Sequence, residues 1–116
     1  MKVLVLDDDN DFLETIKKIL LSHNHLVDCA GSAKDALAML DQSEYDYVFV
    51  DYKMPENDGI WFMKNAKLPR RTRALLMTAF VNREVINKMF ALGACGYLIK
   101  PFNEEDLLRH MAFFER

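Results

Sequence analysis

Two kinds of hydrophobic run alternate along the chain. Short apolar or β-branched runs stand at residues 3–6, 26–30, 47–50, 74–77 and 96–99. Each holds about 4–5 residues, close to the usual length of a strand. Val3-Leu4-Val5-Leu6 and Val48-Phe49-Val50 are apolar on both alternations, as a parallel strand covered on both faces requires. The segments between them repeat at helical spacing. Phe12, Leu13, Ile16, Ile19 and Leu20 form the first stripe, with Asn10 or Asp11 as its expected cap. Ser32 can cap a second helix, whose stripe is Ala33, Ala36, Leu37 and Leu40. A third is predicted over residues 59–67 and a fourth over 82–92, with Gly93 placed as a left-handed terminator. A fifth follows Asn103, with Glu104, Glu105 and Asp106 in its first turn, where negative charge favours the positive end of the helix dipole. Five strand–helix units of this kind build an α/β protein, because right-handed crossovers give a parallel sheet with helices on both faces.

Composition narrows the picture. The 116 residues, 51% hydrophobic and 28% charged, suit one compact domain with a real core. Fifteen basic against eighteen acidic residues leave a net charge of -3, which argues against a module held to nucleic acid by a basic surface. Cys29 and Cys95 are too few and too far apart for a disulfide framework or a metal knuckle, so a reduced, cytoplasmic setting is expected. The longest nearly pure apolar run, residues 74–81, contains Thr78 and is far too short for a bilayer, which needs about 20 residues. The start, Met-Lys-Val-Leu-Val-Leu followed by three aspartates, does not read as a signal peptide.

Ligands of such sheets sit outside the carboxyl ends of the strands, so the residue after each strand matters most. Asp7, Asp8 and Asp9 follow the first, Asp51 the third, Thr78 the fourth and Lys100 the fifth. If Asp7, Asp8 and Asp51 converge, repulsion is severe: two like charges 4 Å apart cost roughly 4 kcal/mol at an effective dielectric near 20. Lys100 supplies one positive charge, and Mg²⁺, which favours one or two carboxylates, water and phosphate oxygens, matches the remainder. Asp9 and Asp11 are better read as helix-capping acids.

In order along the chain, these residues form Asp7-Asp8, Asp51-x-x-Met54-Pro55-x-x-Asp58-Gly59, Thr78-Ala79 and Lys100-Pro101-Phe102. Over essentially its whole length the sequence resembles the receiver domain of a two-component response regulator. The resemblance implies a flavodoxin-like, doubly wound sheet of order 2-1-3-4-5, filling residues 1–116. It implies Asp51 as phosphoryl acceptor, with Mg²⁺ or Mn²⁺ held by Asp8, Asp51 and the backbone carbonyl of Lys53, assisted by Asp7. Lys100 and Thr78 would stabilise the phosphoryl oxygens, and Thr78 with Tyr97 would form the switch. Tyr97 also reads as an ordinary amphipathic strand residue. Lys100-Pro101 would be a cis peptide, and Pro55 and Gly59 would shape the turn into the third helix, with Asp58 as its cap. The phosphodonor would be a sensor histidine kinase or phosphotransfer protein. The face of the fourth helix, fifth strand and fifth helix would carry the output or a homodimer. The domain itself would contact neither nucleic acid nor membrane, and it would be no enzyme beyond chemistry on its own aspartate.

Two residues individualise this chain. Lys53 and Phe80 are expected as neighbours at the site mouth, where a long cation and a bulky ring would slow loss of the phosphoryl group. Lys53 could instead pair with Asp51 at rest. Lys67, Arg70, Arg71 and Arg73 read as a solvated basic loop. His23, His25 and His110 lack zinc spacing, and the methionines read as core or rim filler. A phosphatase of the haloacid-dehalogenase type would leave Asp51 without a role. A flavin carrier needs a first loop of glycine and hydroxyl residues, not an acidic one. A calcium loop beginning at Asp7 would need glycine where Phe12 stands and glutamate where Lys18 stands. The remaining rival is a receiver that docks without being phosphorylated. The sequence ends at Phe113-Phe114-Glu115-Arg116 with no output domain, so a piece of a larger regulator is expected.

Overall fold

The structure is a computed structural model that describes residues 1–80 and 82–114. Val81 and the final Glu115-Arg116 of the sequence reading lie outside the described residues. Ten elements alternate: β1 (Lys2–Leu6), α1 (Asn10–Ser22), β2 (Leu26–Ala30), α2 (Ala33–Gln42), β3 (Tyr47–Asp51), α3 (Gly59–Asn65), β4 (Arg73–Thr78), α4 (Arg83–Ala91), β5 (Ala94–Ile99) and α5 (Glu104–Phe114). The strands form one parallel sheet in the order β2-β1-β3-β4-β5.

The doubly apolar strands are explained by two cores. Leu4, Leu6, Val48, Val50 and Leu76 face Ala33 and Ala36 of α2, Phe62 and Met63 of α3, and Val85 and Met89 of α4. Val3, Val5, Tyr47, Phe49, Leu75 and Met77 face Leu13, Ile16 and Leu20 of α1 and Leu107 and Met111 of α5. Side chains alternate across a strand, so each central strand feeds both layers. Met63, Met77, Met89 and Met111 are buried within them, as filler would be.

Helix ends follow local chemistry. The cap of α1 is Asp9 rather than Asn10 or Asp11: its carboxylate accepts the N–H groups of Asp11 at 3.0 Å and Phe12 at 3.2 Å. All three are good cap residues, and the chain leaving β1 turns one residue earlier than the stripe implied. Ser32, Asp58 and Asn82 cap α2, α3 and α4 through N–H groups three residues on. Asn103 and Asp106 bond each other's backbone N–H at 3.3 and 2.8 Å, a reciprocal capping box for α5. Gly93 has φ +114 and ends α4. α3 stops at Asn65, short of residue 67: Ala66 is already extended, and Pro69 bars helical backbone at Leu68.

Gly59 is dictated by space. A Cβ there would lie 2.6 Å from the carbonyl oxygen of Asp51 and 3.0 Å from Cα of Tyr52. Its N–H also donates to the Tyr52 carbonyl at 2.8 Å, so neither strand end nor helix start can retreat. Gly59→Ala should destabilise the fold by about 1–3 kcal/mol, read as a lower urea midpoint at unchanged slope.

Candidate functional site

The order of the sheet places β1 beside β3, with Leu6 opposite Val50. The residues that follow, Asp7 and Asp51, therefore emerge side by side. Oxygens of Asp7, Asp8 and Asp51 all lie within 4.8 Å of one another. Asp7 is 1% exposed and Asp51 7%, while Asp8 opens to solvent. Asp7 is held on both oxygens: one accepts the N–H of Asp9 at 2.9 Å, the other pairs with the Lys100 ammonium. That ammonium also lies 3.4 Å from Asp51 Oδ1 and 4.3 Å from the centroid of the Phe12 ring. Lys100 is anchored by its own N–H, which donates to the Thr78 carbonyl at 2.8 Å, and its peptide bond to Pro101 is cis.

Three carboxylates meet one ammonium, so the cluster is short of positive charge. Burial is the largest influence on Asp51; Asp7 adds repulsion, Lys100 opposes both, and Asp8 adds a little more, leaving its carboxyl pushed up to about 6. The donors are hard oxygens, two of the three groups are buried, and their repulsion is unrelieved. That set fits Mg²⁺ or Mn²⁺. Among the described residues no other group of histidine, cysteine, aspartate and glutamate comes together in this way.

The remaining predicted residues occupy the end of β4, the β3–α3 and β4–α4 loops, and β5. Thr78, 2% exposed, ends β4. Its hydroxyl donates to the Phe80 carbonyl at 2.9 Å and accepts the Phe80 N–H at 3.0 Å, so it is bonded locally. Lys53 and Phe80 are neighbours, with the ammonium 4.8 Å from the ring centroid. The expected alternative, Lys53 paired with Asp51, is not formed: among the described residues Asp51 pairs with Lys100, and the Lys53 cation rests on an aromatic face instead. Pro55 lies in the exposed β3–α3 loop, where Glu56 adopts φ 68. Tyr97 is 37% exposed, its ring edge-on to Phe90 of α4 at 6.2 Å. The basic loop is partly spoken for, since Arg71 pairs with Glu44 and Arg73 lies over Phe114.

Sequence reasoning missed two features. One is the Phe12 ring beneath Lys100, signalled only by an aromatic residue in the first turn after the acidic run. The other is an apolar groove of about 610 Å³ between α4, β5 and α5, bordered by Phe90, Tyr97, Ile99 and Phe113. The outward positions of β5 carried that signal, because an edge strand with apolar residues on its open face is seldom fully covered.

Residues 3–112 match the family model of the response regulator receiver domain. The chain belongs to that family. It is 32% identical over 122 residues to chemotaxis protein CheY-3 of Vibrio cholerae, across 100% of this chain and 93% of that protein. It is 34% identical over 109 residues to the two-component response regulator ORR21 of rice, across 92% of this chain but 16% of that protein. The chain thus spans only a small part of the plant regulator. Among solved structures, CheY4 of Vibrio cholerae superposes with a TM-score of 0.90 at 30% identity, covering 97% of this chain and 96% of that one. A CheY-like receiver from Methanospirillum hungatei gives 0.92 at 27% identity, covering 97% and 91%. No helix among the described residues is long and apolar enough to cross a membrane.

The raised Asp51 carboxyl has a consequence for stability. Unfolded, the group titrates near 3.8; folded, near 6. Between those values the folded state binds more protons, so stability falls as pH rises through the window and the penalty persists above it. Without divalent cations, Asp51→Asn should therefore stabilise the fold at pH 8 by about 1–2 kcal/mol, after allowance for solvent screening. The gain should vanish below about pH 4 in parallel urea titrations.

Proposed function

We propose that the chain is a phosphorylation-dependent switch whose acceptor is Asp51. The convergence of Asp7, Asp8 and Asp51 on one ammonium carries this reading. Phosphoryl transfer asks a protein mainly for positioning and for neutralisation of charge on the oxygens. An Asp51 oxygen attacks the phosphorus of a phosphohistidine on a sensor kinase or phosphotransfer protein. The phosphorus–nitrogen bond breaks, its electron pair leaves with the imidazole, and that ring takes a proton. Asp7, Asp8 and Asp51, with the Lys53 carbonyl, would hold Mg²⁺, which neutralises developing charge on the phosphoryl oxygens. Lys100 supplies the second positive charge. Hydrolysis from the same aspartate returns the chain to rest, so the chemistry stays on its own side chain.

The signal is read by Thr78. Its hydroxyl bonds both backbone groups of Phe80 and exchanges them for a phosphoryl oxygen. The β4–α4 loop then loses its tie, and Tyr97 turns inward from its exposed position. This is a population shift between two packings, biased by the phosphate. The surface that changes is the one bearing the apolar groove of α4, β5 and α5. A second copy or an output segment docks there, in keeping with relatives of which this domain is a fraction.

Loading with acetyl phosphate and Mg²⁺ should raise the intact mass by one phosphoryl group on the wild-type chain and leave Asp51→Asn unchanged. No gain, or a gain that survives the substitution, counts against the reading and favours a docking receiver that is never phosphorylated. Lys53 and Phe80 are proposed to screen the acyl phosphate from water. Lys53→Asn and Phe80→Ala should each speed its decay by roughly 3–10-fold, about the effect of a modest barrier change; unaltered decay in both would remove the screen.

A further inference from the structure

Lys100 is gripped on a third side that the phosphorylation chemistry does not account for. Its ammonium stands 4.3 Å from the centroid of the Phe12 ring while also facing Asp7 and Asp51. Phe12 is itself fixed. Its N–H donates to the cap carboxylate of Asp9 at 3.2 Å. Its ring meets that of Phe102 edge-on, with centroids 5.7 Å apart and planes at 83°. Both rings are partly buried against the α1 and α5 core, and they form one wall of a groove of about 480 Å³ that reaches Lys100. Lys100 is only 18% exposed along its side chain, so little water competes with the ring for the cation.

We propose that Phe12, backed by Phe102, is a positioning residue that seats the Lys100 ammonium. The inference rests on the proposed role of Lys100 beside a phosphorylated Asp51. A carboxylate holds an ammonium through directed N–H bonds and keeps it only while that carboxylate is free. An aromatic face attracts the charge as a whole and claims no particular N–H. With the ring closing one side, the N–H donors of the ammonium that point away from it face Asp7 and Asp51. When Asp7 and Asp51 become engaged elsewhere, the ring still holds the cation in place. A phosphoryl oxygen on Asp51 then meets a donor that has not swung into solvent.

Two measurements on the full chain test this. In the unphosphorylated protein, the ε-methylene protons of Lys100 should resonate upfield of the other lysines through the ring current. That displacement should persist in Phe12→Tyr and disappear in Phe12→Leu. With acetyl phosphate and Mg²⁺, Phe12→Leu should slow phosphorylation by about three- to tenfold, while Phe12→Tyr stays near wild type. In a Lys100→Ala background, Phe12→Leu should cause no further loss. An equal loss in that background would show that the ring acts by packing alone and would overturn the inference, as would an unshifted methylene. If the wild-type chain takes up no phosphoryl group at all, the proposed function has failed instead. The methylene signal then still decides whether the ring seats the ammonium.

Discussion

Mutual repulsion among the acids at the ends of β1 and β3 is the constraint on which the rest of the site depends. Two of them are almost fully buried, and a single ammonium faces both. A cluster of that kind is expensive in a fold that needs only stability. It is tolerated because the surrounding framework is rigid. β1 and β3 are central strands covered on both faces, and their ends cannot splay to relieve the charge. The same rigidity holds the three carboxylates together as a set of hard oxygen donors.

Lys100 transmits the constraint to the other half of the molecule. Its backbone is tied to the end of β4, its side chain crosses to β1 and β3, and its ammonium rests on a ring from α1. Four elements are thus joined through one residue. Thr78 sits at the strand end that Lys100 touches, with its hydroxyl committed to the loop that leads to α4. The Lys100 ammonium thus reaches Asp51, while the Thr78 hydroxyl is tied to the loop that enters α4, one side of the exposed aromatic groove.

Membership of the receiver family agrees with this geometry, and the features particular to this chain sit around the shared centre. Lys53 resting on Phe80 bridges the β3–α3 and β4–α4 loops, two residues beyond Asp51 on one side and Thr78 on the other. Gly59 abuts the carbonyl of Asp51 itself, which makes the start of α3 part of the wall behind that residue.

The alternation of strands and helices, the residues at the strand ends, the caps at Ser32 and Asp58, and the terminator at Gly93 were all legible in the sequence. Each depends on neighbours within a few positions, where periodicity and backbone preference act. For the cap of α1 the apolar stripe pointed to Asn10 or Asp11 and the acidic run to Asp9 or Asp11; all three are capable, and only the path of the chain out of β1 separates them. Distances were not legible. That Asp7 lies beside Asp51 follows from β1 pairing with β3, a hydrogen-bonded union of segments more than forty residues apart in sequence. That Lys53 turns to Phe80, and that Phe12 lies beneath Lys100, are choices made among competing partners for one cation. Only the packed structure makes those choices, because the energy of a charge depends on what surrounds it in space and not on what precedes it in the chain.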